Sequence, residues 1–390
     1  MIIEIHGGGF ENKGAELMLR TAVHDLSSRM RNVDFAVDPL CGSYKQRVSI
    51  GLKQLFPFRL NRGFPSTFLS SLLNTLAKII PGRLFALYGC VPWAGVSGFV
   101  DISGFAFSDQ WGLSRSRNFL KIVKYYKSRG LPVVMLPQAF GPFETNSVRE
   151  SFSEALKYVD LLFARDKQSY DYVRAITPYP DRVFNAPDIT LFYDSENKLK
   201  EEGRGSLKYC CIIPNTRMLD QGEEDWGKSY VALLKASAQR VIRSGLIVYV
   251  LLHTDEEGDL AIASEVVNDL PKGKVKLVEE KDALKIKDII GNSEFVIGSR
   301  YHSLVAAFSK GVPSVCMGWS HKYDMLYRDF GVGEFVISKA DKGDIEKKID
   351  FLLEKKNNSM YREKIKSVLT KMKSKNGKMW DLVVEYLVKK

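Results

Sequence analysis

Short runs of β-branched and other apolar residues alternate with longer stretches whose apolar positions recur three and four residues apart, almost from end to end of the chain. That alternation is the pattern of parallel sheets covered by amphipathic helices. In the first half it predicts strands over 2–6, 33–37, 100–103, 133–136 and 161–164, and helices over 15–29, 116–128, 148–158 and 167–176. It then lapses over 194–206, where Glu196, Lys198, Lys200, Glu201, Glu202, Gly203 and Gly205 make a polar linker. Beyond the linker it restarts, with strands over 209–213, 247–252, 275–277, 295–297 and 314–317 and helices over 226–244, 257–269, 283–291 and 303–310.

The expected architecture is therefore α/β, with two Rossmann-like doubly wound domains, 1–195 and 206–360, facing a cleft at the carboxyl ends of their strands. A lysine-rich helical tail, 361–390, offers Trp380, Leu382, Val383 and Leu387 as one apolar face. One segment breaks the rhythm. Across about 51–93, leucines and phenylalanines are interleaved with Lys53, Arg59, Arg62, Lys78 and Arg83, and no acid occurs. It reads as a helical insertion that either packs on the sheet or rests on an anionic membrane surface.

Composition narrows the class. A chain of 390 residues exceeds one compact core, and 45% hydrophobic with 26% charged residues is the balance of a folded protein. The 57 Lys and Arg exceed the 46 Asp and Glu by 11, an excess suited to phosphorylated or anionic partners. No nucleic-acid module accompanies it, so nucleic acid is not an expected partner. The five cysteines (Cys41, Cys90, Cys210, Cys211 and Cys316) form no CxxC pair and read as free thiols of a reducing cytoplasm. The amino terminus lacks the features of a signal peptide, and the longest uncharged run, 84–100, is broken by glycine and proline. A cytoplasmic protein, peripheral on the inner face of the membrane if 51–93 binds lipid, is the expectation.

Candidate chemistry lies at strand ends. Gly7-Gly8-Gly9-Phe10-Glu11-Asn12-Lys13-Gly14-Ala15-Glu16 links a strand to a helix, and departs from both the P-loop and the dinucleotide fingerprint. It reads as a ligand loop, with Gly9, Asn12 and Glu16 as candidates, or as a plain turn. More specific is Gly298-Ser299-Arg300-Tyr301-His302-Ser303: Arg300 can hold a carboxylate or phosphate with two parallel hydrogen bonds, and His302 is a proton donor suited to neutral pH. Asp101-Ile102-Ser103-Gly104-Phe105, Pro137-Gln138-Ala139-Phe140-Gly141-Pro142 and Ala164-Arg165-Asp166 share that strand-end address. The five histidines show no HExxH or paired spacing, so no metal is expected, and the absence of GxSxG argues against an α/β-hydrolase. The acidic cluster Asp255-Glu256-Glu257-Gly258-Asp259 reads as a helix start.

With these motifs the chain resembles the polysaccharide pyruvyl transferase family. The resemblance runs from Asn12-Lys13-Gly14-Ala15-Glu16 through Gln138-Ala139-Phe140-Gly141-Pro142, Ala164-Arg165-Asp166-Lys167-Gln168-Ser169, Ala186-Pro187-Asp188 and the stretch from His253 to Asp259. It ends at Gly298-Ser299-Arg300-Tyr301-His302-Ser303, Gly311-Val312-Pro313 and Lys322. It implies a glycosyltransferase-B-like fold and transfer of an enolpyruvyl-derived unit from phosphoenolpyruvate, a co-substrate rather than a cofactor, to a sugar as a pyruvate ketal. The first domain would take the acceptor, a cell-surface glycan such as a capsule or exopolysaccharide or its lipid-linked oligosaccharide precursor, and the second the phosphoenolpyruvate.

The resemblance gives His302 the role of acid, and Arg300, Arg165, Lys322 and Arg217 the donor's charges, with Ser303, Asn12, Gly9, Gln138 and His253 as further substrate ligands. The base stays open among Asp188, Glu16 and Asp109. The loop reads Gly-Ala-Glu where many relatives have Gly-Asp-Glu, and Ser103-Gly104-Phe105 replaces a more glycine-rich loop, so the acceptor is less defined than the donor. Two other readings share these features: a nucleotide-sugar glycosyltransferase of the same architecture, and a non-catalytic membrane-associated scaffold of a glycan assembly complex. The acceptor sugar, the hydroxyl pair, the ketal stereochemistry and the oligomeric state are not legible.

Overall fold

The computed structural model describes residues 1–56, 82–194, 208–220 and 224–389. Among them the chain forms two compact units, each built on one parallel sheet. The first unit holds Met1–Phe10, Met18–Ile189 and Lys375–Lys390, and the second Glu11–Leu17 and Thr190–Ser374. Sequence order would leave Glu11–Leu17 with the first half; its contacts group it with the second. Residues 195–207, most of the expected linker, lie outside the described residues.

The first sheet has eight strands in the order β4-β3-β2-β1-β5-β6-β7-β8. They are β1 (Ile2–His6), β2 (Asp34–Val37), β3 (Leu52–Phe56), β4 (Cys90–Pro92), β5 (Gly98–Asp101), β6 (Val133–Gln138), β7 (Leu161–Ala164) and β8 (Val183–Asn185). Central strands such as β6 and β7 are buried at every position, as parallel strands covered on both faces must be. Successive residues serve opposite faces: Val100 and Val134 join one core cluster, and Phe99 and Val133 the other. The helix Lys355–Val388 ends in the first cluster through Met379, Trp380, Val383 and Leu387, while its earlier Tyr361 and Ile365 belong to the core of the second unit.

The segment 51–93 is not a purely helical insertion. Leu52–Phe56 is a strand paired with β2, and Cys90–Pro92 pairs with it in turn. Leu52 and Leu55 stand three apart, a spacing that reads as helical, yet β3 buries both. Lys53 forms an ion pair with Asp34 at 2.8 Å, so that cation is already matched. Residues 57–81, with Arg59, Arg62 and Lys78, lie outside the described residues. Among the described residues no helix is long and apolar enough to cross a membrane.

The second sheet has six parallel strands in the order β11-β10-β9-β12-β13-β14: β9 (Tyr209–Ile213), β10 (Ile247–Leu251), β11 (Val275–Val278), β12 (Val296–Gly298), β13 (Ser314–Met317) and β14 (Val336–Ile337). Counted from β9 this is 3-2-1-4-5-6, the Rossmann order. Order reverses between β9 and β12, where two neighbouring strands send their connections to opposite sides and leave a crevice at their carboxyl ends.

Candidate functional site

Two loops meet at that crevice, Pro214-Asn215-Thr216 after β9 and Ser299-Arg300 after β12. The Asn215 amide donates to the Ser299 carbonyl at 2.7 Å, and the Tyr323 hydroxyl donates to the same oxygen at 2.8 Å. Tyr230 donates to the Ser299 hydroxyl at 2.8 Å and accepts from the Asn215 backbone at 3.0 Å. Burial pushes the Tyr230 hydroxyl above its ordinary pKa, so it stays a donor.

Arg300 lies next to this frame, at the N-cap of the helix Tyr301–Ser309. Its guanidinium is almost buried and grips Asp259 through Nε at 2.8 Å and Nη2 at 2.6 Å; Nη2 also reaches Glu256 at 2.6 Å. Burial alone would disfavour the charge, but the hydrogen bonds and charge of Asp259, then Glu256, hold the Arg300 pKa above its ordinary value. The fork expected to clasp a donor anion is thus occupied inside the protein. Only Nη1 donates to no group among the described residues. Asp259 is fully buried and also accepts from the Thr216 backbone and hydroxyl, each at 2.8 Å.

The loop Glu11–Glu16 is pinned to the end of β10. Asn12 and Thr254 form an antiparallel bridge, Lys13 N donates to the His253 carbonyl at 3.2 Å, and Asp255 N donates to the Glu11 carbonyl at 3.0 Å. Asn12 Oδ1 caps the new helix by accepting from Gly14 N at 2.9 Å. Lys13 is buried, with Nζ 3.2 Å from Asp255 and 3.9 Å from the equally buried Glu16. Gly14 lies flat against His302: a Cβ there would fall 2.2 Å from the imidazole Nδ1. Only glycine admits that approach.

His253 is fully buried and its pKa is driven down to about 3, first by burial and then by the charges of His302, Arg300 and Lys13. It is a neutral imidazole throughout the working range, and its Nε2 has no partner among the described residues.

Lys322 sits among aromatic faces, 4.5 Å from the Trp319 ring, 5.3 Å from Tyr323 and 5.9 Å from Tyr301. An ammonium over ring faces is attracted by their negative face charge. Ser303 is fully buried and its hydroxyl donates to the Arg300 carbonyl at 2.6 Å, so it closes the first helical turn rather than facing a ligand. Arg217 is 43% exposed and pairs with Asp220 at 2.9 Å, an arrangement that leaves it at the surface.

The second unit therefore brings together His302, Arg300, His253, Lys322, Asn12 and Glu16. Ser303 and Arg217 lie in this unit too, whereas Asp188, Arg165, Gln138, Asp109 and Gly9 belong to the first. Asp188 and Arg165 are both buried and pair at 3.3 Å. Gln138 donates to Asp101 at 2.7 Å, and burial raises that carboxyl against the opposing effects of His6, Gln138 and Ser103. Asp109 accepts from the backbones of Glu144 at 2.6 Å and Thr145 at 3.1 Å, holding the turn before the helix Asn146–Leu156. A Cβ on Gly9 would meet nothing within 4 Å, so packing does not dictate glycine there.

Lys13, Asn215, Tyr230, Asp259, Trp319 and Tyr323 were not singled out from the sequence as site residues. For Asp259 a signal exists: with Ile262, Ala263 and Val266 it makes the buried stripe of the helix Glu257–Asn268. A carboxylate on an apolar stripe requires a buried partner.

Two parallel α/β units, the second in Rossmann order with its polar network at the switch point, define a glycosyltransferase-B-like fold. Solved structures share it. The UDP-GlcNAc 2-epimerase from Neisseria meningitidis bound to UDP-GlcNAc is 11% identical, with all of both chains covered and a TM-score of 0.59. The Anabaena protein HepE in complex with UDP and glucose is 12% identical over 99% of this chain and 98% of that one, with a TM-score of 0.59. The Methanocaldococcus jannaschii UDP-GlcNAc 2-epimerase in complex with UDP-GlcNAc and UDP is 13% identical over 92% and 94%, with a TM-score of 0.57. The sequence profile of the polysaccharide pyruvyl transferases matches residues 12–321, and the chain belongs to that family of transferases.

Two outcomes follow for the site itself. Asp259→Ala strands the Arg300 charge, and a loss of about 3–5 kcal/mol is expected in urea unfolding; an unchanged midpoint would show that Glu256 alone suffices. His253 binds its proton less readily folded than unfolded, so unfolding takes up a proton below its ordinary pKa of 6.5. Stability should therefore fall as pH drops from about 6.5 toward about 3. His253→Asn should flatten that slope, and a wild-type slope in the variant would refute the assignment.

Proposed function

We propose that the protein transfers an enolpyruvyl-derived unit from phosphoenolpyruvate to a glycan hydroxyl pair and closes it as a pyruvate ketal. The observation that carries this reading is the His302 imidazole, half-buried on the first turn of the helix Tyr301–Ser309 and lodged against Gly14 at the switch-point edge of the second sheet. The family match supports the transferred group.

In this reading His302 donates a proton to the methylene carbon of phosphoenolpyruvate, which makes C2 an oxocarbenium-like centre. A sugar hydroxyl adds there and gives up its proton. The C2–O bond to phosphate then breaks, and a second hydroxyl adds to close the ring. Of the two hydroxyl protons, one balances the methyl group formed and the other leaves with phosphate. With His253 neutral, His302 is the imidazole left to deliver the proton. Lys13, Lys322 and the free Nη1 edge of Arg300 supply positive charge for the donor's carboxylate and phosphate, with the amides of the helix start. Glu16, beside Lys13, is the base candidate within this unit; Asp188 is already paired with Arg165.

The fold likeness to proteins solved with UDP or UDP-GlcNAc supports a second reading, a nucleotide-sugar enzyme. Incubation with phosphoenolpyruvate or nucleotide sugars plus candidate glycans separates the two. Phosphate release with a carboxyethylidene-bearing product is expected, and nucleoside diphosphate release would overturn the proposal. His302→Ala should cost about 10²–10⁴ in kcat with the fold intact; near-normal turnover would remove His302 from the mechanism. Gly14→Ala should displace the same ring without touching its chemistry, lowering kcat while circular dichroism stays unchanged. Wild-type kcat in that variant would show that the ring position is not critical.

A further inference from the structure

The first unit has a switch point of its own, between β1 and β5. Its loops meet closely there: Gly7 takes φ 84°, and a Cβ on it would fall 2.2 Å from Ser103 Oγ. Beside them opens a cavity of about 470 Å³, within the size range of small-molecule sites.

Its lining has two parts. Phe105 and Trp111, both half-buried, meet edge to face with ring centroids 6.3 Å apart. Arg115 and Asn118 project from one face of the helix Gly112–Ser128, three residues apart, and neither makes a hydrogen bond or ion pair among the described residues. Asp38 spends one carboxylate oxygen on the Leu40 amide at 2.8 Å and keeps the other, and His6 completes the polar rim. At the neighbouring strand end Asp101 is matched by Gln138 and Ser103. Here a guanidinium, an amide and a carboxylate oxygen stay uncommitted among the described residues, around an aromatic wall.

We propose that this cavity binds a pyranose bearing a negative charge, as the acceptor-sugar subsite. A pyranose offers an apolar C–H face to an aromatic ring and a belt of hydroxyls to planar donors and acceptors such as Asn118 and Asp38. Arg115, a cation without a counter-charge, meets the anionic substituent, a carboxylate or a phosphate. The word acceptor rests on the transferase reading above; the binding of a charged sugar does not.

The test is saturation-transfer NMR and calorimetry on the full-length protein with uronic acids, hexose 1-phosphates, neutral methyl glycosides and uridine. Binding of uronic acids or hexose phosphates in preference to neutral glycosides is expected, and which of the two binds identifies the anion. Trp111→Ala should weaken that binding about tenfold or more, and Arg115→Ala, a surface change that leaves the fold intact, should abolish the preference for the charged sugar. Equal binding of neutral glycosides, binding of uridine alone, no sugar binding, or affinities that ignore both variants would overturn the proposal. Phosphoenolpyruvate-dependent phosphate release is followed separately. Its absence alongside Trp111-dependent sugar binding defeats only the donor reading, whereas turnover with sugar binding that ignores both variants defeats only the pocket.

Discussion

The buried pairing of Arg300 with Asp259 is the constraint on which the second unit's site depends. One carboxylate receives four hydrogen bonds, two from Arg300 and two from Thr216. It thereby ties the exit of β9, the start of the helix Glu257–Asn268 and the exit of β12 to a single point. Replacing such a pair by apolar groups of equal volume often costs nothing, so its value here is geometric rather than energetic. It fixes where the helix Tyr301–Ser309 begins, and His302 stands two residues beyond that anchor.

The same logic accounts for the acids around the site. Lys13 is matched by Asp255 and Glu16, and Arg300 by Asp259 and Glu256. Buried cations without partners would lose their charge or unfold the unit. Arg300, so matched, keeps its charge, and its Nη1 donates to no group among the described residues.

How much of this was legible in the sequence follows from burial. The central strands β6, β7 and β9 are continuous apolar runs because both faces are covered, and such runs are easily read. The strands β3, β8 and β14, at or next to a sheet edge, escape because they are short or half solvated: β8 buries only Val183, and β14 has two residues. Arg300 and His302 were legible as polar residues directly after a β-run. The occupation of the Arg300 fork was not, since its partner lies 41 residues earlier in the chain. Nor could sequence order reveal that Glu11–Leu17 packs with residues near 253 and 302, because adjacency along the chain favours the first unit.

The two site histidines illustrate how position, not residue type, assigns chemistry. His253 follows β10 into a fully buried position among positive groups, where a proton cannot be held near neutral pH. What it retains is a neutral ring with one nitrogen that has no partner among the described residues, suited to receiving or donating a hydrogen bond but not to carrying charge. His302 is half-buried, and its ring rests on Gly14, whose missing side chain admits the imidazole. A glycine in one loop and a buried strand end in the other thus give two identical side chains different surroundings.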